Sequence, residues 1–254
     1  MGEAQIRVFS DMATLSRALA EHVAARAMER AREGRRFSVA LSGGHTPRPL
    51  YERLACEPLA SRIPWPSLDL FQVDERAVPP DDPQSNYRMI RQSLLDRVAL
   101  AAANFHRMEA ERANLDAAAE HYEQLLAERL VPAVGHPPRF DLILLGLGPD
   151  GHTASLFPGT RALAEQTRWV VPNFVSKLNA YRMTLTYPVL NAAGEIVFMV
   201  SGEEKRDILR QALEGQRDPE QWPAQAVQPV AGHVVWFVDK AAAGGLASAR
   251  VKTS

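Results

Sequence analysis

Short branched apolar runs alternate along the chain with stretches of helical spacing, and this alternation sets the elements. Ile6 to Phe9 predicts a strand, then a helix that Ser10 or Asp11 can cap, with Leu15, Leu19, Val23 and Ala27 on one face and Gly34 at its end. Phe37 to Leu41 predicts a second strand. It runs into Ser42, Gly43, Gly44, His45, Thr46 and Pro47, after which Leu50, Tyr51 and Leu54 predict a helix. Leu68 to Val73 predicts a third strand, closed by the charged triplet Asp74, Glu75 and Arg76 and a loop from Val78 to Pro83. Ser85 can cap a helix with Met89, Ile90, Leu94 and Leu95 on one side and Asn86, Arg88 and Arg91 on its other faces.

Phe105 to Met108 predicts a short strand, and Leu115 to Leu130 a helix rich in alanine, glutamate and leucine. Asp141 then opens the run Leu142 to Leu145, cut off by Gly146, Gly148 and Gly151, a pattern that fits a strand buried on both faces. Further on, Trp169 to Val171, Met183 to Tyr187, Glu195 to Val200 and Val234 to Val238 predict strands. Pro188 to Asn191 reads as a helical turn, Glu203 to Leu213 as an amphipathic helix, and the tail after Asp239 as a helix that frays. The expected fold class is therefore α/β, a single Rossmann-like α/β/α domain over residues 1–254 with a mostly parallel sheet. The one place that could hide a domain boundary is Gly159 to Ala180.

Composition narrows the partners. With 46% hydrophobic residues the chain can build a sizeable core, and a formal net charge of -1 gives no reason to expect nucleic acid or an anionic membrane. The single Cys56 excludes an intramolecular disulfide and a cluster of cysteines at zinc-ligand spacing. The amino-terminal stretch lacks the apolar core of a secretory leader, and no apolar run reaches the ~20 residues of a membrane span. A cytoplasmic location is expected; the oligomeric state is unknown from sequence, and a monomer is compatible with it.

Candidate chemistry collects at strand ends, where open α/β sheets bind ligands. His152 titrates near neutrality and suits a general base, with Asp150 close enough in sequence to orient it; the competing reading is a histidine that caps a helix beginning near Thr153. Two residues apart, the pair could equally point in different directions. Ser42, Gly43, Gly44 and Thr46 have the parts of a phosphate cradle, without the lysine of a Walker loop or the spacing of a dinucleotide fingerprint. Asp74, Glu75 and Arg76 offer a base or an oxyanion contact, while Arg88, Arg182 and Lys205, taken singly, read as surface cations. No G-x-S-x-G elbow supports a covalent serine mechanism.

In combination, the blocks LSGGHTP (41–47), VDERAVPPDDPQSNYRMIRQSLL (73–95), DLILLGLGPDGHTASLFPGT (141–160), RMTLTYPVLNAA (182–193) and VSGEEKR (200–206) resemble the 6-phosphogluconolactonase family, within the group that includes glucosamine-6-phosphate deaminase. The resemblance implies metal-independent hydrolysis of 6-phosphoglucono-δ-lactone in the pentose phosphate pathway, with no metal or cofactor expected and a small phosphosugar lactone as the partner. It makes His152 the general base, Ser42, Gly43, Gly44 and Thr46 the phosphate cradle, and Arg182 and Lys205 its cationic partners. Arg76 and Arg88 become candidates for oxyanion or sugar contacts, with Asp74 and Asp150 placing or polarising the site. His45 departs from the family's usual small serine. The deaminase pattern places a glutamate five residues after the histidine and an aromatic residue at the arginine of the triplet; here those positions are Phe157 and Arg76. A non-enzymatic phosphosugar-binding regulator is the other alternative, and it lacks the expected helix-turn-helix segment.

Overall fold

A computed structural model describes residues 5–247 and 252–253. β1 (Gln5–Phe9) leads into α1 (Met12–Arg32), whose N-cap is Asp11, accepting from Thr14 N at 2.8 Å. β2 (Phe37–Leu41) is followed by α2 (Arg48–Leu54) and the single turn α3 (Leu59–Arg62). After β3 (Leu68–Gln72) and β4 (Asp74–Arg76) comes α4 (Asn86–Ser93), capped by Ser85, then β5 (Phe105–His106) and α5 (Leu115–Leu130). The second half runs β6 (Leu142–Gly146), β7 (Val170–Val175), β8 (Ala180–Leu185), α6 (Tyr187–Leu190), β9 (Glu195–Val200), α7 (Arg206–Glu214), β10 (His233–Asp239), α8 (Lys240–Ala243) and β11 (Lys252–Thr253).

Eight strands form a parallel sheet in the order β11-β1-β10-β9-β6-β2-β3-β5. Because strand side chains alternate, each strand feeds two cores. Leu142 and Leu144 of β6 face one core with α1, α2 and α4, and Ile143 and Leu145 face the other with α5, α6, α7 and α8. Leu19 of α1 is fully buried in the first core, so Leu19→Ala would cost roughly 2–5 kcal/mol. This is a single α/β domain, helices on both faces of a mainly parallel sheet.

Three readings of the sequence change. Asp74, Glu75 and Arg76 do not end β3; they form β4, which joins β8 and β7 in a separate antiparallel sheet of three strands. The segment from Gly159 to Ala180 holds no domain boundary, since β7 supplies Val170 and Val171 to the same core as Ile143 and Leu145. No helix begins at Thr153; the chain there makes a tight turn closed by a bridge between Thr153 and Leu156. Smaller differences follow from local geometry: α4 stops at Ser93 before Leu94 and Leu95, and Glu203 to Lys205 form a 3-10 turn ahead of α7. Of the expected tail helix, Lys240–Ala243 is helical, and residues 248–251 and 254 lie outside the described chain. No described helix is long and apolar enough to cross a membrane.

Candidate active site

Chain direction splits between β2 and β6. From β2 the strands step outward to β3 and β5, and from β6 they step the other way to β9 and β10, so a crevice opens beyond the carboxyl ends of β2 and β6. Two turns meet there. Ser42 Oγ donates to Leu144 O at 2.7 Å, and Tyr51 OH donates to Ser42 O at 2.7 Å, which locks the 42–47 turn onto β6. The Ser42 hydroxyl is therefore committed to the backbone, whereas half-buried Thr46 has no hydrogen-bond partner among the described residues. Gly43 lies so close to Asn86 that a Cβ would sit 1.8 Å from Asn86 Oδ1, which is why a side chain is not tolerated at that point of the cradle. His45 is exposed beside it.

The second turn folds His152 back over its own backbone. Gly148 N donates to His152 O at 2.8 Å, and Gly151, at φ 76°, donates to Gly148 O at 3.0 Å. A Cβ on Gly148 would stand 2.0 Å from His152 Nδ1, so glycine there is the space into which the imidazole packs. His152 Nδ1 lies 2.5 Å from Asp150 Oδ1, and its ring stacks on Phe157 with centroids 4.0 Å apart and planes inclined by 25°. The pair that sequence left open in direction thus points together. With the ionised carboxylate accepting from Nδ1–H, the network assigns the lone pair to Nε2, which has no partner among the described residues.

Charge around that nitrogen is unusual. Burial, opposed by the Asp74 carboxylate but reinforced by the Lys205, Arg76 and Arg182 charges, pushes the His152 pKa down to about 4. The imidazole is neutral at pH 7 and able to accept a proton. Arg76 and Arg182 are directly paired residues of β4 and β8, and burial together with the Arg76 charge lowers the Arg182 pKa. Arg76 donates to Gln84 O, Arg182 NH1 to Tyr181 O at 2.9 Å, and Lys205 Nζ to Leu147 O at 2.8 Å. Among the described residues none of these three cations has a carboxylate within ion-pair distance. Cations held by backbone carbonyls, without a carboxylate, are chemically able to take an anion.

Asp74 is buried and held from two sides, accepting from Ser155 Oγ at 2.6 Å and from Asn86 Nδ2 at 3.2 Å. Glu75 faces away from the crevice; its carboxylate accepts from Gln72 Nε2, Asn86 N and Tyr87 N and caps α4. Arg88 donates to Asp81 O at 2.8 Å and so anchors the 78–83 loop; like Arg76 it is held by a carbonyl and has no carboxylate within ion-pair distance among the described residues. Two residues that the sequence did not single out for a role join the site: Asn86 through Asp74, and Lys177, whose ammonium meets Asp150 Oδ2. Asn86 had a local signal, its place just after the capping Ser85, and Lys177 depends on long-range pairing; Ser155, which the glycine-rich turn after β6 carries toward the crevice, reaches Asp74. A groove of about 690 Å³ behind the small sheet, lined by Val78, Pro79, Arg112, Pro172 and Tyr181 among others, contains none of these groups.

Comparison with known proteins gives the family. The family model described as glucosamine-6-phosphate isomerases/6-phosphogluconolactonase matches residues 10–236. A 6-phosphogluconolactonase from Synechocystis sp. is 44% identical over 209 residues, covering 82% of this chain and 84% of the relative. One from Nostoc sp. is 42% identical, covering 83% and 85%. The solved 6-phosphogluconolactonase of Trypanosoma brucei superposes with a TM-score of 0.82 at 28% identity, covering 97% of this chain and 100% of that one.

Proposed function

The chain belongs to the glucosamine-6-phosphate isomerase/6-phosphogluconolactonase family, and we infer that it is the hydrolase of that pair. It has 6-phosphogluconolactonase activity, hydrolysing the lactone intermediate of the pentose phosphate pathway. A single domain over residues 1–254, working in the cytoplasm, is the setting we propose for it.

The observation that carries the mechanism is the Nε2 of a neutral His152, without a partner among the described residues, with Nδ1 held by Asp150, beside cations that have no carboxylate within ion-pair distance among those residues. In our reading the substrate phosphate binds the Gly43 and Gly44 amides, the Thr46 hydroxyl, Arg182 and Lys205. Ser42 contributes its backbone and the lock on β6. Fixed by a handle remote from C1, the lactone carbonyl is presented to a water on His152 Nε2. His152 takes a proton from that water as its oxygen bonds to C1, and Arg76 faces the oxyanion that forms. When the tetrahedral intermediate collapses, the C1 to ring-oxygen bond breaks and the imidazolium returns the proton to the departing ring oxygen. The product is the open hydroxy acid, whose carboxyl proton is released to solvent. Asp74, held by Asn86 and Ser155, supplies the negative charge that stabilises the imidazolium between the two steps.

A deaminase needs an acid near the base to open the sugar ring. At the position where the resemblance places that acid, Phe157 presents a ring stacked on His152, which favours the hydrolase. The test is the loss of freshly generated 6-phosphoglucono-δ-lactone, followed by NMR against its spontaneous hydrolysis with chelator present. Native chain should accelerate it, and His152→Ala should lose on the order of 100- to 10,000-fold of kcat. Ammonia release from glucosamine-6-phosphate with no lactonase activity would overturn the reading.

A further inference from the structure

The hairpin of β7 and β8 carries more than Arg182. Its tip is the 3-10 turn Ser176–Leu178, closed by Asn179 in the left-handed region at φ 46°, and it projects Lys177 across the site. The Lys177 ammonium pairs with Asp150 Oδ2 and stands 4.8 Å above the centre of the Phe157 ring. Asp150 Oδ1 holds His152 Nδ1, and Phe157 stacks on the imidazole. Lys177 therefore touches both groups that fix the imidazole. Lower on the same hairpin, Asn173 Nδ2 donates to Ser155 O at 2.8 Å and to Thr160 Oγ1 at 3.1 Å, fastening the far side of the loop that follows His152.

A carboxylate with one engaged oxygen can rotate and exchange oxygens, and the histidine it orients follows it. With an ammonium on Oδ2 and an imidazole on Oδ1, Asp150 has one orientation that satisfies both. We propose that Lys177 is a positioning residue for the hydrolysis, clamping Asp150 from the hairpin tip so that the carboxylate holds the His152 lone pair toward the anion cradle. The ammonium has a second effect. It offsets part of the Asp150 charge next to His152, in a field already set by Asp74, Arg76, Arg182 and Lys205, and so keeps the base neutral at lower pH. The inference rests on His152 being the base. It also connects two functions in one element, because the strand that brings Arg182 to the cradle begins at Ala180, directly after Asn179 ends the turn that brings Lys177 to the base.

A half-exposed ion pair contributes little to stability, so a purely structural role and a positioning role separate cleanly. The experiment compares native chain, Lys177→Met, Lys177→Ala, Lys177→Arg and His152→Gln, with kcat and KM for the lactone measured from pH 4 to 7 beside thermal unfolding. We expect Lys177→Met and Lys177→Ala to unfold within a few degrees of native, to lose about tenfold or more of kcat with KM changed less than about twofold, and to move the acid limb of the profile to higher pH. Lys177→Arg should recover most of the loss. Native kcat and an unmoved acid limb in both truncations, with His152→Gln inactive, would overturn the Lys177 inference and leave the base intact. Native activity in His152→Gln would overturn the base, and this inference with it.

Discussion

Arg76 and Arg182 stand opposite each other across the β4–β8 pair, and among the described residues neither has a carboxylate within ion-pair distance. Like charges directly opposite in an antiparallel pair destabilise a sheet, so the arrangement costs the free protein stability that a bound phosphate dianion restores. Arg182→Gln should therefore raise the melting temperature of the free protein by about 1–3 °C while abolishing most of the stabilisation that 6-phosphogluconate gives the native chain. Differential scanning calorimetry with and without the product reads both. A drop in the free protein's melting temperature would show that the two arginines are not in conflict.

The same cations make the base sensitive to its substrate. In the free enzyme His152 is held down to about 4 first by burial and then by Lys205, Arg76 and Arg182. In the product complex the phosphate on Arg182 and Lys205, with the C1 carboxylate facing Arg76, neutralises those charges and removes a cause of the lowering, so the His152 pKa should rise on binding. The sign is fixed: the imidazole is neutral above its pKa, so the pH at which it protonates moves upward in the complex, toward the 6.5 of an unperturbed histidine. An NMR titration of His152 in free protein and in the product complex measures it. A midpoint that falls on binding would mean the anion does not sit among these three cations.

Gly148→Ala tests the packing of the base without touching its chemistry. The new methyl would stand 2.0 Å from His152 Nδ1, and neither the turn nor the stacked Phe157 leaves the ring a place to go. Displacing a catalytic group by about 1 Å can cost about 100-fold in rate, so kcat should drop by that order. The fold should persist, because the methyl clashes with the far end of one side chain at the surface of the crevice. Activity within threefold of native would show that the imidazole has a second productive seat.

Much of the main sheet was legible because its signals are local. Runs such as Leu142 to Leu145 and Phe37 to Leu41 are buried on both faces and read as strands directly, and the glycines after them mark the turns. The small sheet was not. β4 is three charged residues whose partners, Arg182 to Thr184, lie more than a hundred positions on, and no periodicity exists in so short a strand. With that pairing hidden, the meeting of Asp74, Asn86 and Ser155 was hidden too. The direction of Asp150 and His152 depends on the absent side chain of Gly148, which a sequence states only as a glycine among glycines. Arg88, a candidate by resemblance alone, is held by the Asp81 carbonyl as Arg76 is held by that of Gln84.

The two ends of the sheet carry opposite electrostatics, and this yields the last prediction. At the amino ends of the strands carboxylates are paired: buried Asp69 with Arg36 and His106, half-buried Asp141 with Arg30, buried Glu195 with His22. At the carboxyl ends Arg76, Arg182 and Lys205 have no carboxylate within ion-pair distance among the described residues, which supports placing the site there. Burial opposes ionisation of Asp69, but the His106 and Arg36 hydrogen bonds and charges outweigh it and hold the pKa at about 2, below the 3.8 of a free side chain. A depressed carboxylate contributes stability that is fully present above its unfolded value and is lost as pH falls through its folded one, so this contribution should fade between about pH 4 and pH 2. Asp69→Asn leaves half-exposed Arg36 and buried His106 without their carboxylate and should cost roughly 1–3 kcal/mol at pH 7 by urea unfolding. The difference from native should shrink as pH drops through that window, where native Asp69 becomes protonated as well. Because β3 separates Asp69 from the crevice, kcat at neutral pH should stay within about twofold of native. A loss of activity larger than the loss of folded protein would mean that the two ends of the sheet are coupled.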